Sequence, residues 1–424
     1  MVIVESKNEI DIFLKDWETN PSIIVPIFED LNKHPLNNTL SFLYIRIQDT
    51  DYILSYKHID CVSIYIDLSK STQPKWCWGK KALMQTNTNI QNISDIQSYY
   101  FFTRNELLDF SPEEQPFISH YHRLGIYDNL GRIAPIMKWG EYIQSFLNTI
   151  SNLEISDNMK WVSNIMIPVL SDIERYGITV DVDKFEKRFP KSIKHLNNDI
   201  VYTEYNPYTA TSRPSNRHGG VNYSALNKSD GSREIFIPKR NSIFLQFDYD
   251  AYHIRIISSL IGYDLPKTSA HQWLADQYGV SYEEGKSITF KLLYGGIPEE
   301  FEEIEYFKLV KKYIDTMWLE ATKQGYIETK FRKIPLDWIE DNNPQKSFNY
   351  LLQATETELN VCKMEQLLDY IKNTDISLNL YAYDSYLFSF PNSTPPSVAN
   401  ELKSIIECGG YPVKATWGTN YNEV

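Results

Sequence analysis

Between Asn241 and Gly262 the spacing of apolar positions changes. Phe244, Gln246 and Asp248 alternate with Leu245 and Phe247, the period of a strand with two unlike faces. Ile254, Ile257 and Ile261 then recur at helical spacing, and Gly262 stands where a helix end wants a residue free to take positive φ. The pattern predicts a strand running into a helix, with Asp248 at the junction. A carboxylate at the end of an apolar strand is costly unless something charged faces it. Asp248 or Asp250 would cap the helix, or Asp248 would hold a cation. A second alternation, Leu378, Leu380 and Ala382 against Asn379, Tyr381 and Tyr383, precedes the aromatic run Tyr386, Leu387, Phe388. It predicts a hairpin with Asp384 at or near the tip. A turn aspartate is ordinary by itself. Two carboxylates on adjacent strands, however, can hold a pair of Mg²⁺ ions about 3.5–4 Å apart, the arrangement that serves in-line phosphoryl displacement. Mg²⁺ suits it because that ion takes hard oxygen ligands and shares its shell with phosphates.

The same reading places strands at Ser22 to Phe28, Leu40 to Arg46, Tyr52 to Tyr56 and Val62 to Asp67, with helical stretches from Ser94 onward. A helix is expected over Asp157 to Tyr176, stopped by Gly177 and kinked or delayed by Pro168. Another is expected over Lys184 to Leu196. In the helix Tyr282 to Leu293, Lys286, Phe290 and Tyr294 share one face at i, i+4, i+8, while Ile288 and Leu292 are expected in the core. A long helix, Gln345 to Tyr370, carries the amides Asn349 and Gln353 four apart on one face. A closing strand runs from Tyr411 to Trp417.

At 424 residues, 42% hydrophobic and 14% aromatic, the chain can bury two or more domains. It has no apolar run long enough to span a membrane, and its first residues resemble neither a signal nor a transit peptide, so a cytoplasmic location and no membrane partner are expected. The four cysteines lack metal-ligand spacing and read as free thiols. A net charge of −13 argues against a protein that coats nucleic acid indiscriminately, but acid concentrated in runs such as 298–305 leaves room for a locally positive cleft.

Several stretches, in one order, resemble the family A DNA polymerases, the group of bacterial DNA polymerase I: TSRPSN (Thr211 to Asn216) with NYSALNKSDGSREIFIP (Asn222 to Pro238), FDYDAYHIRIISSLIG (Phe247 to Gly262), KSITFKLLYGG (Lys286 to Gly296), FNYLLQATETEL (Phe348 to Leu359) and YAYDSYLF (Tyr381 to Phe388). The wording is nearer to phage and viral members than to cellular ones. The resemblance implies an α+β right-hand fold. An exonuclease-like α/β domain (1–155) would precede a polymerase domain (156–424) with a reduced thumb (about 178–205), a palm (201–262 and 345–424) and fingers (about 263–344). It implies that Asp248 and Asp384, with the backbone carbonyl of Tyr249, bind two Mg²⁺ ions, or Mn²⁺ in their place. Lys286 would meet the triphosphate, Phe290 and Tyr294 the base and sugar, and His253 the sugar. Arg213, Asn349 and Gln353 would hold the primer–template. The implied partners are primer–template DNA, deoxynucleoside triphosphates and an accessory replication protein.

The sequence also departs from the family's pattern. The 33 residues 178–210 are too few for a full thumb. His253 replaces a glutamate, Tyr282 stands where a triphosphate-binding arginine is usual, and Tyr383 and Ser385 replace the histidine and glutamate flanking the second aspartate. Lys291, His271 or Arg332 would then have to supply the missing cation. In the first domain, Pro26, Ile27 and Phe28 occupy the strand that would carry exonuclease carboxylates, so that activity is expected to be absent unless Glu29, Asp30 or Asp67 build it differently. The alternatives are a gap-filling polymerase with relaxed sugar choice and a non-catalytic nucleic-acid-binding protein on a decayed polymerase fold.

Overall fold

The computed structural model describes residues 2–4, 6–28, 33–56, 66–108, 139–154, 156–216, 220–266 and 269–424. They form two compact units, one of residues 1–175 with 189–204, the other of 176–188 with 205–424.

Among the described residues, the first unit is built on a six-stranded sheet in the order Val2–Ile3, Thr50–Ser55, Leu40–Ile47, Ser22–Phe28, Lys75–Cys77, Ile93–Asp95. The strands expected at Leu40 to Arg46 and Tyr52 to Tyr56 pair as a hairpin from Phe42↔Ser55 to Ile47↔Thr50 and form its third and second strands. Strand alternation divides the core in two. Ile23, Val25 and Ile27 point to one face and pack with Phe42, Tyr44 and Phe146. Ile24, Leu43 and Ile45 point to the other, where the helix Lys7–Thr19 buries Phe13 and Trp17. Pro26 is tolerated mid-strand because the parallel partner pairs only with Ser22–Ile24, so the proline lies past the end of that ladder. Glu29, Asp30 and most of the strand expected at Val62 to Asp67 lie outside the described residues. Asp67 itself caps the short turn Leu68–Lys70, accepting from the Ser69 amide at 3.1 Å.

Two helices differ from expectation, each at a proline. Asp157–Trp161 and Ile167–Tyr176 are joined by a π-helical turn, Val162–Met166, because Pro168 has no N–H for the regular ladder and a widened turn takes up the mismatch. The helix expected over Lys184 to Leu196 ends at Arg188. Pro190 opens a 3₁₀ turn, Pro190–His195, in its place.

The second unit holds an antiparallel four-stranded sheet in the order Ser377–Ala382, Ser385–Pro391, Ser242–Tyr249, Val413–Gly418. Leu245, Phe247 and Tyr249 are buried on one face, with Phe247 edge-on to Phe388 at 6.0 Å. The helices Tyr252–Ile261, Ala270–Tyr278, Tyr282–Gly295, Glu305–Gln324, the 28-residue Pro344–Ile371 and Pro396–Glu407 complete the unit. Gly262 caps the first of these at φ 66°, as its position in the pattern predicts. Ala270–Tyr278 and Tyr282–Gly295 cross at Gly285, where an added Cβ would lie 2.4 Å from that of Ala275, so only glycine lets them approach. Gly285, Thr289, Leu292 and Leu293 form the buried side of Tyr282–Gly295. Ile288, expected in the core, is only half-buried because that crossing turns the helix onto its glycine side.

One bulge shapes the hairpin. The register of its strands slips between Leu378 and Leu380, and Asn379, the extra residue, is buried. Its Oδ1 accepts from the Ser389 amide at 2.7 Å, and its Nδ2 donates to the Gly177 carbonyl at 2.6 Å. Asn379→Ala would orphan both groups. A loss of about 2 kcal/mol in urea-unfolding free energy is expected, and an unchanged midpoint would show that the amide does not hold the bulge.

Candidate active site

The strand Ser242–Tyr249 delivers Asp248 to its end, in register with Ser385 on one side and Lys414 on the other. The Tyr249 amide donates to the Asp384 carbonyl at 3.0 Å, and the Asp250 amide to that of Pro412 at 3.0 Å. The tip of the hairpin is thus bonded directly to the strand that carries Asp248. The turn is tight. Tyr383 sits at φ 60°, a left-handed conformation unusual for a large residue. Its carbonyl accepts from Asn360 Nδ2 at 2.6 Å, and the Arg213 guanidinium lies 3.8 Å from its ring centroid.

Asp248 does not cap the following helix. Ala251, at φ 53°, is the residue that enters it, with no side-chain cap. Asp250 instead binds Arg255, Nη2 to Oδ2 at 2.8 Å, so Arg255 serves as a structural pairing residue. Asp248 is left facing a cavity of about 530 Å³, together with Asp384, Tyr249, His253, Lys286, Phe290, Tyr294 and Arg213. A larger cavity of about 720 Å³ in the first unit is walled by apolar side chains together with asparagine and threonine, and its single carboxylate, Asp67, is already engaged as a cap. Size does not mark the chemistry here.

Both carboxylates hold protons more tightly than usual. Burial, then the neighbouring Asp384, pushes Asp248 up to about 6, against the pull of Lys286, Lys228 and Lys414. Burial, then Glu356, raises Asp384, against Arg213 and His253. Two desolvated carboxylates that disfavour each other's charge form a donor set that a divalent cation would relieve, so the pair fits the ions the sequence implies. The Tyr249 side chain cannot contribute, since its ring stacks on Tyr252 at 3.9 Å and its hydroxyl donates to the Ile406 carbonyl. Only its backbone carbonyl is eligible. Among the described residues, no group of three or more His, Cys, Asp or Glu side chains is arranged for a metal.

The helix Tyr282–Gly295 turns the face bearing Lys286, Phe290 and Tyr294 to the same cavity. Phe290 and Tyr294 stack 6.0 Å apart with planes 9° from parallel, and Phe290 remains 41% exposed. The three residues expected to replace an arginine at Tyr282 fare differently. Arg332 is fully buried and donates to Ser212 Oγ, so it cannot reach a ligand. Lys291 is exposed and does not line the cavity. His271 does line it, between Tyr282 and Phe290, but burial and then Lys286 lower its pKa, so it is neutral near pH 7. Lys414, which the sequence reading missed, supplies a cation instead. Its signal was the cross-strand register with Asp248, which periodicity alone does not give.

Asn349 and Gln353 stand on the long helix as expected, half-buried and partnered. Asn349 Nδ2 donates to the Tyr294 carbonyl at 3.3 Å, and Gln353 Oε1 accepts from Thr211 at 3.5 Å. One turn on is a second residue the sequence reading missed. Glu356, 1% exposed, meets Arg213 at 3.1 Å and His253 Nε2 at 3.3 Å, while His253 Nδ1 bonds the Tyr294 hydroxyl.

The raised Asp248 gives a signed test. Its folded pKa, about 6, exceeds that of an ordinary carboxylate, so its stability contribution is full at low pH and is lost as pH rises towards 6. Asparagine cannot ionise. With a chelator present, the melting temperature of Asp248→Asn should pull ahead of the parent's between about pH 4 and 6 and stay ahead above. Added Mg²⁺ should close the gap. A difference independent of pH would rule this out.

No protein-family model matches the sequence, and no curated protein does. The structure is similar to a solved one, the POL domain of Pol1 from M. smegmatis in complex with DNA primer-template and dNTP, with a TM-score of 0.74 and 14% identity over 100% of each chain. The chain therefore has the mixed α+β fold of a polymerase POL domain.

Proposed function

We propose that this protein is a DNA-templated DNA polymerase of the family A type, extending a primer 3′-hydroxyl with deoxynucleoside triphosphates. The observation that carries the proposal is the meeting of Asp248 and Asp384 with Lys286 in one cavity. Two carboxylates and a facing cation are what nucleotidyl transfer needs, since its catalysis is mostly positioning and charge stabilisation. The neighbour of the same fold was solved with primer-template and dNTP, and these are the partners proposed here.

Asp248, Asp384 and the Tyr249 carbonyl would hold two Mg²⁺ ions, which when bound stabilise charge on the attacking 3′-oxygen and the departing pyrophosphate. Lys286, one helical turn before Phe290, projects its ammonium towards the triphosphate as a point charge. Lys414 adds a second cation from the opposite strand edge. Phe290 and Tyr294 offer a stacked aromatic wall for base and sugar. His253 abuts the sugar. Arg213, Asn349 and Gln353 contact the primer–template, with Arg213 supported on the Tyr383 ring. Segments 201–262 and 345–424 act as palm, 263–344 as fingers and 178–205 as a reduced thumb, so processivity would come from an accessory protein. The first unit lacks exonuclease activity in this reading, supported by Pro26 within the strand and Asp67 spent on a cap. The Thr211–Asn216 wording favours phage or viral replication. Among the described residues no helix is long and apolar enough to cross a membrane.

Primer extension with Mg²⁺ tests the proposal. Template-dependent extension by the parent and none by Asp384→Ala is expected. Failure of the parent to extend a primer–template that it binds would instead favour a non-catalytic binding protein. Lys286→Ala should raise the nucleotide KM by about tenfold or more, equivalent to about 1.4 kcal/mol, and leave primer–template Kd nearly unchanged. Equal losses in both would remove Lys286 from the triphosphate.

A further inference from the structure

Glu356 sits in the long helix Pro344–Ile371, 1% exposed, and none of the roles above uses it. Burying a carboxylate costs several kcal/mol unless partners hold it, and a carboxylate close to two others that bind cations adds repulsion. Its two partners come from two other elements, and a third element supports one of them. Arg213, from the loop after Tyr205–Asn206, approaches Oε2 at 3.1 Å and Oε1 at 3.4 Å. His253, from the helix Tyr252–Ile261, brings Nε2 to 3.3 Å of the same Oε2. Tyr294, from the helix Tyr282–Gly295, bonds the other ring nitrogen of His253. Glu356, Arg213, His253 and Tyr294 all line the cavity that holds Asp248 and Asp384.

We infer that Glu356 is a positioning residue of this site: one buried carboxylate fixes the His253 ring and the Arg213 guanidinium, and thereby sets the gap through which the sugar of the incoming nucleotide is selected. The inference rests on the proposed polymerase reading. A carboxylate beside Nε2 favours a proton on that nitrogen, which leaves Nδ1 to accept from the Tyr294 hydroxyl. The imidazole is thus anchored by a hydrogen bond at Nδ1 and lies against the Glu356 carboxylate at Nε2, 3.3 Å away without a hydrogen bond, and its face towards the cavity is a wall. On the other side Arg213 lies between Glu356 and the Tyr383 ring, next to Asp384. Wall and catalytic carboxylate are thus referred to one side chain. A sugar bearing an extra hydroxyl would need the wall to yield, and the wall yields only if the Glu356 contacts give way. Rigid placement is what such discrimination requires, since a displacement of about 1 Å at a reacting centre can cost orders of magnitude in rate.

The test is Glu356→Gln, which keeps the shape and removes the charge, in the full chain with primer–template and Mg²⁺. The ratio of kcat/KM for deoxyribonucleotide over ribonucleotide should fall by about tenfold or more, chiefly through the deoxyribonucleotide KM and the ribonucleotide kcat. The melting temperature is followed alongside. If Glu356→Gln does not fold, Glu356→Asp keeps the charge one methylene further back and should show a smaller loss in the same ratio. His253→Ala should lower the ratio too, and Glu356→Gln added to it should change it little further, because both act through one wall. Extension by the parent with an unchanged ratio in the variant overturns the inference alone, as do effects that add in the double variant. No extension by the parent overturns the polymerase reading and the inference together.

Discussion

Two carboxylates that repel each other are held side by side by a backbone ladder, and much of the second unit is arranged around that conflict. Asp248 ends one strand, Asp384 sits in the turn of the next, and the Tyr249 amide to Asp384 carbonyl bond fixes their spacing. The sheet cannot relax the repulsion without giving up its last rungs. The turn cannot relax it either, because Tyr383 is locked at positive φ by a bond from below and a guanidinium from above. Strain of this kind persists only where surrounding structure over-determines it.

The residue that does most of that determining is Asn360. It is completely buried and uses its whole amide: Oδ1 accepts from the Tyr252 and Tyr386 hydroxyls at 3.1 and 2.7 Å, and Nδ2 donates to the Tyr383 carbonyl and the Tyr381 hydroxyl at 2.6 and 3.1 Å. One amide on the long helix therefore ties both strands of the hairpin to the helix that follows Asp248. A fully satisfied polar network of this kind rigidifies, whereas a partly satisfied one would cost more than an apolar core. Glu356 lies one helical turn earlier on the same helix. The long helix is therefore the common scaffold for the turn and for the wall of the cavity.

The sheet and its two aspartates were legible because period-two alternation is a local signal that register then preserves. The helix Tyr282–Gly295 was legible for the same reason at its own period, and Lys286, Phe290 and Tyr294 do share a face. Lys414 and Glu356 were not legible. Their importance comes from which strand lies beside Asp248 and which side of the long helix meets Arg213, and no local pattern encodes either. The burial of Arg332 is of this kind too, since only tertiary packing shows that the guanidinium is spent on Ser212. The prolines misled in a different way. Pro168 and Pro190 were visible, but whether a chain answers a missing donor with a kink, a π turn or a new 3₁₀ turn depends on what packs around it.

The charge in the cavity leads to one more step. Arg213, Lys286 and Lys414 face Asp248, Asp250, Asp384 and Glu356, three fixed cations against four carboxylates. Arg213 is already matched to Glu356, and Arg255, just behind, is matched to Asp250. What remains is two lysines beside two carboxylates whose proton affinities are raised. A triphosphate carries several negative charges and would find little net attraction in such a cavity. Divalent cations on Asp248 and Asp384 would reverse that balance, changing the carboxylates from a source of repulsion into the means by which phosphate oxygens are held. Under the proposed function the overall charge of −13 would pose no obstacle to an anionic ligand, because attraction would be created locally and only with cations bound.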